Sequence, residues 1–265
     1  MRIVGREIQE RFGPKIFDHD NAAKIGDDPC WQVGMDYRDR HVVVTGGAGA
    51  LGTAVVAALL EAGAICHVPC FNEAEAQRFR LRDNPKVKLS VSGNLADEAA
   101  IGRLYEGIAP LWASIHLAGG FAAGPLRETG LAVLRQQLDM NLVSCALCCR
   151  AAVSAMANTG GRIVNVAARA ALEWRSGAGM VAYTASKAAV AALTVALAEE
   201  VAKDGILVNA VAPSIMDTPA NRQVMSSADF SLWPRVEEVA ATVAFLASPG
   251  NRVTRGAVVP VYGKS

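Results

Sequence analysis

Charge is scarce in this chain, and neither sign prevails. Of its 265 residues 19% are charged, and the net charge is +1. With no basic block there is no electrostatic footprint for nucleic acid or an anionic membrane, and neither is an expected partner. Long apolar runs are missing too: Glu61, Arg150 and Glu199 break the best candidates, so no membrane span of about 18 residues is expected. The first residues, MRIVGREIQERF, carry charge early and do not read as a secretory signal. Six cysteines stand at 30, 66, 70, 145, 148 and 149, and the CxxCC cluster has no further ligand at metal spacing. No metal is expected; buried thiols in a reducing cytoplasm are. Internal repeats and low-complexity segments are absent as well.

What the chain does have is apolar mass, 52% of its residues, enough for a sizeable core. Residues 1–39 are polar, rich in turn residues and without period, and read as an N-terminal arm. From Arg40 a rhythm begins. Continuous β-rich runs at 41–46, 64–70, 87–91, 112–118, 162–167, 206–212 and 257–262 alternate with helical stretches near 50–62, 72–82, 97–108, 131–156, 179–203 and 236–248. Strand–helix alternation predicts right-handed crossovers, and uninterrupted apolar strands predict burial on both faces. The expected fold is α/β: one doubly wound, Rossmann-type domain over 40–265, with a seven-stranded parallel sheet and helices on both faces.

Between the first strand and first helix stands TGGAGALG (45–52). Gly47, Gly49 and Gly52 let the chain turn tightly and let backbone N–H groups approach a pyrophosphate, aided by the positive end of the helix. This points to a dinucleotide. The second strand ends at Cys70, where an NAD-binding chain would carry an acid for the adenosine ribose. Without that acid, and with Arg78 and Arg80 nearby, the cofactor leans from NADH towards NADPH.

Tyr183 and Lys187, four apart, share one helix face. A free phenol has a pKa of about 10; a neighbouring ammonium is expected to lower it and so favour proton delivery near neutrality. Asn141 lies upstream, in an earlier helix. The helix bearing the pair is apolar almost all round, which suggests a partner subunit. Residues 214–235, rich in Met, Ser and Asp, are long for a connection and read as a substrate lid. Met216 and Trp233 are candidate apolar lining, and Phe121 and Trp174 candidate flanks for a flat substrate.

Together TGGAGALG, Asn141, RIVNVA, YTASK and VNAVAPSIMDT resemble the short-chain dehydrogenase/reductase family from about Arg40 to the C-terminus. The resemblance implies a small-molecule oxidoreductase using NAD(P)H. It makes Tyr183 the proton donor, Lys187 its tuning partner and ribose ligand, and Asn141 the support of a proton-relay water. It implies cofactor contacts from Gly46, Gly47, Gly49, Leu51, Gly52, Asn94, Ala118, Gly119, Lys187, Pro213 and Thr218, and a homodimer or homotetramer. Departures are equally specific. Ala50 replaces a family glycine, HLAG (116–119) replaces N-N-A-G, Ser214 follows Pro213 in place of glycine, and the catalytic serine falls on Ala168. Within the family the chain is similar to the dihydropteridine reductase branch, which has the Tyr/Lys pair without the serine. That implies a conjugated C=N or C=O substrate, such as a quinonoid dihydropteridine. Such a ring spreads the charge that an alkoxide would concentrate, so one donor suffices. Ser176 or Arg169 are alternative stand-ins for the missing hydroxyl. An ordinary carbonyl reductase or alcohol dehydrogenase, and a non-catalytic dinucleotide-binding protein, are the rival readings.

Overall fold

The two faces of β1 already divide the core. In this strand, His41–Thr45, the side chains of Val42 and Val44 enter one apolar cluster and that of Val43 the other, as a period of two requires. The computed structural model describes residues 35–265. Its remaining strands are β2 (Ile65–Cys70), β3 (Val87–Val91), β4 (Leu111–His116), β5 (Gly161–Val166), β6 (Ile206–Pro213) and β7 (Val258–Val261). All pair in parallel, in the order β3-β2-β1-β4-β5-β6-β7. The order reverses between β1 and β4, and ligands of open α/β sheets bind over that crevice at the carboxyl ends of the strands.

Helices α1 (Ala50–Glu61) and α9 (Val236–Leu246) close one face, and α3 (Glu98–Tyr105), α5 (Ser144–Met156) and α7 (Val181–Glu200) close the other. Between them lie α2 (Glu73–Arg78), α4 (Leu131–Leu138), α6 (Arg169–Leu172) and α8 (Pro219–Val224). The helix expected over 72–82 stops at Arg78. Asn72 caps its start by accepting from Glu75 N, and Phe79 leaves the helical path to become a core side chain at 1% exposure. α4 runs into α5 through a wide turn at Asp139–Val143.

Two further expectations need correction. Leu131–Met156 and Val181–Glu200 are each long and apolar enough to cross a membrane by length and composition; each packs its buried residues against the sheet. The body of the fold also begins before Arg40: Tyr37 is fully buried, its N–H donating to Ala62 O at 2.9 Å and its hydroxyl to Ala244 O at 2.5 Å. The rest of the expected arm, residues 1–34, lies outside the described residues.

Candidate active site

The glycine loop is shaped by close approach. Gly46 has φ +67°, and a Cβ there would lie 2.7 Å from Ala118 N. A Cβ on Gly52 would lie 2.1 Å from Gly46 O and 2.6 Å from Gly47 Cα, and one on Gly47 would meet the Val68 side chain at 2.8 Å. Gly49, the N-cap of α1, meets only Gly46 O at 3.3 Å, so its outer side is open. Leu51 is buried beneath the loop. The first turn of α1 carries no acid, which leaves its N–H groups and positive end uncompensated for an anion. The cradle therefore fits a dinucleotide pyrophosphate. Ala118 N donates to Thr45 Oγ1 at 3.3 Å, stitching β4's outgoing loop to the end of β1.

Beyond the loop a cavity of about 600 Å³ is lined by Ala48, Gly49, Thr53, Arg78 and Arg80 on the side of α1 and α2. Glu75, the nearest acid to the buried Cys70 that accepts a backbone bond, folds back to take the Phe71 N–H at 2.6 Å. Asn94 is exposed and accepts from Ala96 N in its own turn. Pro213 is buried at the end of β6, and Thr218 caps α8 by accepting from Asn221 N at 3.2 Å.

The polar centre is built on α7. Its buried stripe runs Ala182, Ser186, Lys187, Val190, Thr194, Ala198, so the helix that seals the core also carries Lys187 inward. The Lys187 ammonium donates to Val166 O at 2.8 Å, and a Cβ on Gly119 would lie 3.4 Å from it. Asn141 sits in the wide turn, a device that rotates one side chain out of helical register. Its Oδ1 accepts from Gly120 N at 2.9 Å, and its Nδ2 donates to Gly120 O and to Ser186 Oγ, each at 3.0 Å. Ser186 donates in turn to Tyr183 O at 2.7 Å. The Asn141 side chain thus ties the loop after β4 to α7. Ser186 and Gly120 were not singled out in the sequence; Ser186 stands inside YTASK, between the pair, and was the signal available.

Burial pushes the Tyr183 phenol up to about 12, and it drives the Lys187 amine down to about 8. The expected lowering of the phenol by the lysine is therefore corrected. Loss of water around the ring outweighs an ammonium whose own charge is disfavoured by the same burial. Tyr183 therefore holds its proton at neutral pH.

A stability signature follows for Lys187. Between about pH 8 and its ordinary value near 10.5, the unfolded chain binds more protons than the folded one, so stability rises with pH across that window. Below it, the buried cation costs on the order of 3 kcal/mol. Lys187→Met is expected to raise the melting temperature at neutral pH and to flatten the rise. Melts from about pH 7 to 10 measure it, and an unaltered slope would show that Lys187 does not titrate there.

Where the family's serine would stand, Ala168 is buried at the N-cap of α6 with no side-chain bond. Ser176 donates to Glu173 O at 2.8 Å. Arg169 pairs with Glu173 Oε2 at 2.7 Å, its guanidinium 5.0 Å from the Tyr262 ring centroid. Both stand-ins are engaged elsewhere. Of the four aromatic or lid candidates, Phe121 is brought against Tyr183: their rings meet edge to face at 4.9 Å, with Phe121 60% exposed. Trp174 is 73% exposed, its indole N–H held by Ala171 O. Met216 packs on the core and Trp233 is buried beside Phe230. The segment 214–235 is pinned at its base, Asp217 N donating to Pro234 O at 2.9 Å and Asp217 pairing with Arg222.

The family described as short chain dehydrogenase matches residues 40–229. The cis-4-hydroxycyclohexanecarboxylate dehydrogenase of Sinomonas cyclohexanicum is 32% identical over 87% of this chain and 98% of its own. The galactitol 2-dehydrogenase of Rhizobium johnstonii is 34% identical over 83% and 93%. Among solved structures, that of gox2181 superposes with a TM-score of 0.79 at 28% identity, covering 86% of this chain and 96% of its own. Neither relative's name refers to a pterin.

Proposed function

This chain belongs to the short-chain dehydrogenase family and is an NAD(P)-dependent oxidoreductase; from that premise we propose that it reduces a conjugated C=N or C=O group, with Tyr183 giving the proton. The observation that carries the proposal is the pairing of a protonated Tyr183 with a wall that lacks a second hydroxyl. Ala168 offers none, and Ser176 is turned to Glu173 O. A simple ketone gathers a full negative charge on one oxygen as it is reduced, and two donors hold it better than one. A conjugated acceptor spreads that charge, and a quinonoid dihydropteridine is one such acceptor. The exposed face of Phe121 beside Tyr183 suits a flat ring.

The reduced nicotinamide, when bound, supplies the hydride. Gly46, Gly47, Gly49 and Gly52 would admit its pyrophosphate, and Lys187 its ribose, while Asn141 and Ser186 hold the helix that aims Tyr183. Arg78 and Arg80, both lining the cavity beside Gly49, favour the 2′-phosphate of NADPH over NADH. The second reading is a general carbonyl reductase or alcohol dehydrogenase, and it is supported by relatives named for a hydroxycyclohexane acid and a sugar alcohol. A non-catalytic role fits poorly with a buried Lys187 and with an Asn141 tied through Ser186 to the helix that carries Tyr183. A second copy of the chain would cover Val181 and Val195, which stand 43% and 46% exposed on α7, giving a homodimer or homotetramer. Five free, buried cysteines among the described residues suit a cytoplasmic setting.

Steady-state oxidation of NADPH and of NADH against quinonoid dihydropterin, quinones and simple ketones tests the proposal. Wild type is expected to favour conjugated acceptors and NADPH, and Ala168→Ser to gain roughly tenfold or more on ketones, on the scale of one added hydrogen bond to a developing charge. Equal rates on ketones and conjugated acceptors, with no gain in Ala168→Ser, would give the general reductase reading instead.

A further inference from the structure

Cys145 and Cys149 are four residues apart on α5 and share a face, whereas Cys148 between them stays out of the cluster, so the helix itself brings no third ligand. The fold supplies it from elsewhere. β4 ends at His116, and the sheet lays that residue against α5, so that His116, Cys145 and Cys149 each bring a ligand atom within 4.8 Å of the other two. All three are buried, at 3%, 5% and 1% exposure. The proton-transfer chemistry proposed above uses none of them.

Asn165 on β5, itself fully buried, completes a fourfold set. Cys149 Sγ lies 3.5 Å from His116 Nδ1 and 3.5 Å from Asn165 Oδ1, and the last two atoms are 2.8 Å apart. A tetrahedral zinc centre with bonds of about 2.3 Å to sulfur and about 2.0–2.1 Å to nitrogen and oxygen has edges of roughly 3.4 Å between nitrogen and oxygen, about 3.5–3.6 Å from either to sulfur, and about 3.8 Å between sulfurs. Two measured edges, both to the Cys149 sulfur, already match. The third is a hydrogen bond in which His116 Nδ1–H donates to the amide oxygen; when that proton moves to Nε2 and a cation takes its place, the edge opens by about 0.6 Å.

The outer partners are in place as well. His116 Nε2 lies 2.8 Å from Ser114 Oγ, which Tyr105 Oη backs at 2.7 Å. Once the imidazole proton is on Nε2 and donated to that hydroxyl, the Nδ1 lone pair faces the thiols. Asn165 Nδ2 donates to Thr194 Oγ1 at 2.9 Å, which fixes the amide with its oxygen towards the cluster. Metal ligands are oriented by such second bonds from the other atom of the same side chain, and here two ligands have them.

We propose that His116, Cys145, Cys149 and Asn165 form a buried site for Zn²⁺. On binding, two S–H bonds break and two Zn–S bonds form. Both thiol protons leave to solvent, the imidazole passes its Nδ1 proton to Nε2 and binds through Nδ1 as a neutral donor beside the amide oxygen, and the filled site carries no net charge. The metal then joins the end of β4 to α5 and β5. His116 leads directly into residues 117–120, the loop held by Thr45 and Asn141, so filling the site stiffens one wall of the active site.

The test uses the full-length chain, reduced and loaded with ZnSO₄, then dialysed free of excess metal. About one zinc per chain is expected, with roughly two protons released per zinc in weakly buffered solution. Zinc-edge X-ray absorption of the wild type should show two sulfur and two nitrogen or oxygen neighbours. Zinc retention should fall about tenfold or more in Cys149→Ala and in Cys145→Ser. The wild-type spectrum decides the matter even where a variant fails to fold: a shell without sulfur, or a wild type that retains no zinc, overturns the site. Full retention in the folded Cys145→Ser/Cys149→Ala double variant overturns it equally.

Discussion

Tyr183→Phe is expected to lower turnover by roughly 10²-fold or more while cofactor binding stays near that of wild type. The size follows from the usual contribution of a positioned general acid, and the selectivity from geometry. The change removes one oxygen from a half-buried ring whose edge meets Phe121 at 4.9 Å. The bonds that organise the site pass through other groups: Ser186 donates to the backbone carbonyl of residue 183, and Lys187 to Val166 O. Neither depends on the phenol. Single-turnover reduction and cofactor titration, run side by side, separate the two effects. Unimpaired turnover in the variant would remove Tyr183 from the chemistry. Joint loss of turnover and cofactor affinity would assign it a binding role instead.

The second large effect belongs to Gly52. Gly52→Ala places a methyl carbon 2.1 Å from Gly46 O and 2.6 Å from Gly47 Cα, and both obstacles are backbone. Nothing flexible is there to give way, so the glycine loop must open. A cost of about 3 kcal/mol is expected for overpacking of this kind, which lowers the melting temperature by roughly 10 °C in a domain of this size. Cofactor should also cease to raise the melting temperature, since the cradle that binds it has been pushed apart. Gly49→Ala is the useful contrast, because its nearest obstacle stands at 3.3 Å on an otherwise open side. Thermal melts of both variants with and without NADPH decide it; a wild-type melt and a wild-type cofactor shift in Gly52→Ala would show the loop to be more pliant than its packing implies.

All seven strands and the glycine loop were legible because their signals are local: continuous apolar runs for burial on both faces, and glycines between a strand and a helix. Short elements were not. α6 and α8 span four and six residues, too few for a helical period to show. The truncation of α2 followed from Phe79, whose departure into the core no window of helix-favouring residues reveals. At the candidate site, spacing and resemblance single out Tyr183, Lys187 and Asn141, but they give the wrong direction for the Tyr183 shift, because spacing reports a neighbour and not the water excluded around it. His116 was read only as a departure from N-N-A-G. Its meeting with Cys145, Cys149 and Asn165 joins three separate elements, and no short stretch of sequence contains it.

The central place of β1 bears on how the chain reaches this state. One of its neighbours, β2, follows after a single helix, but the other is β4, whose Leu111 meets His41 70 positions later. Until β4 is made, the glycine loop has one flank bare and no Ala118 against which to settle. A non-local parallel pairing of this kind closes slowly, since a long loop must lose its freedom before any contact repays the loss. The glycine loop proposed to hold the dinucleotide is therefore made before its second flank and set after it. A nascent chain arrested before Leu111 would present the entire glycine motif and still be unable to hold a nucleotide.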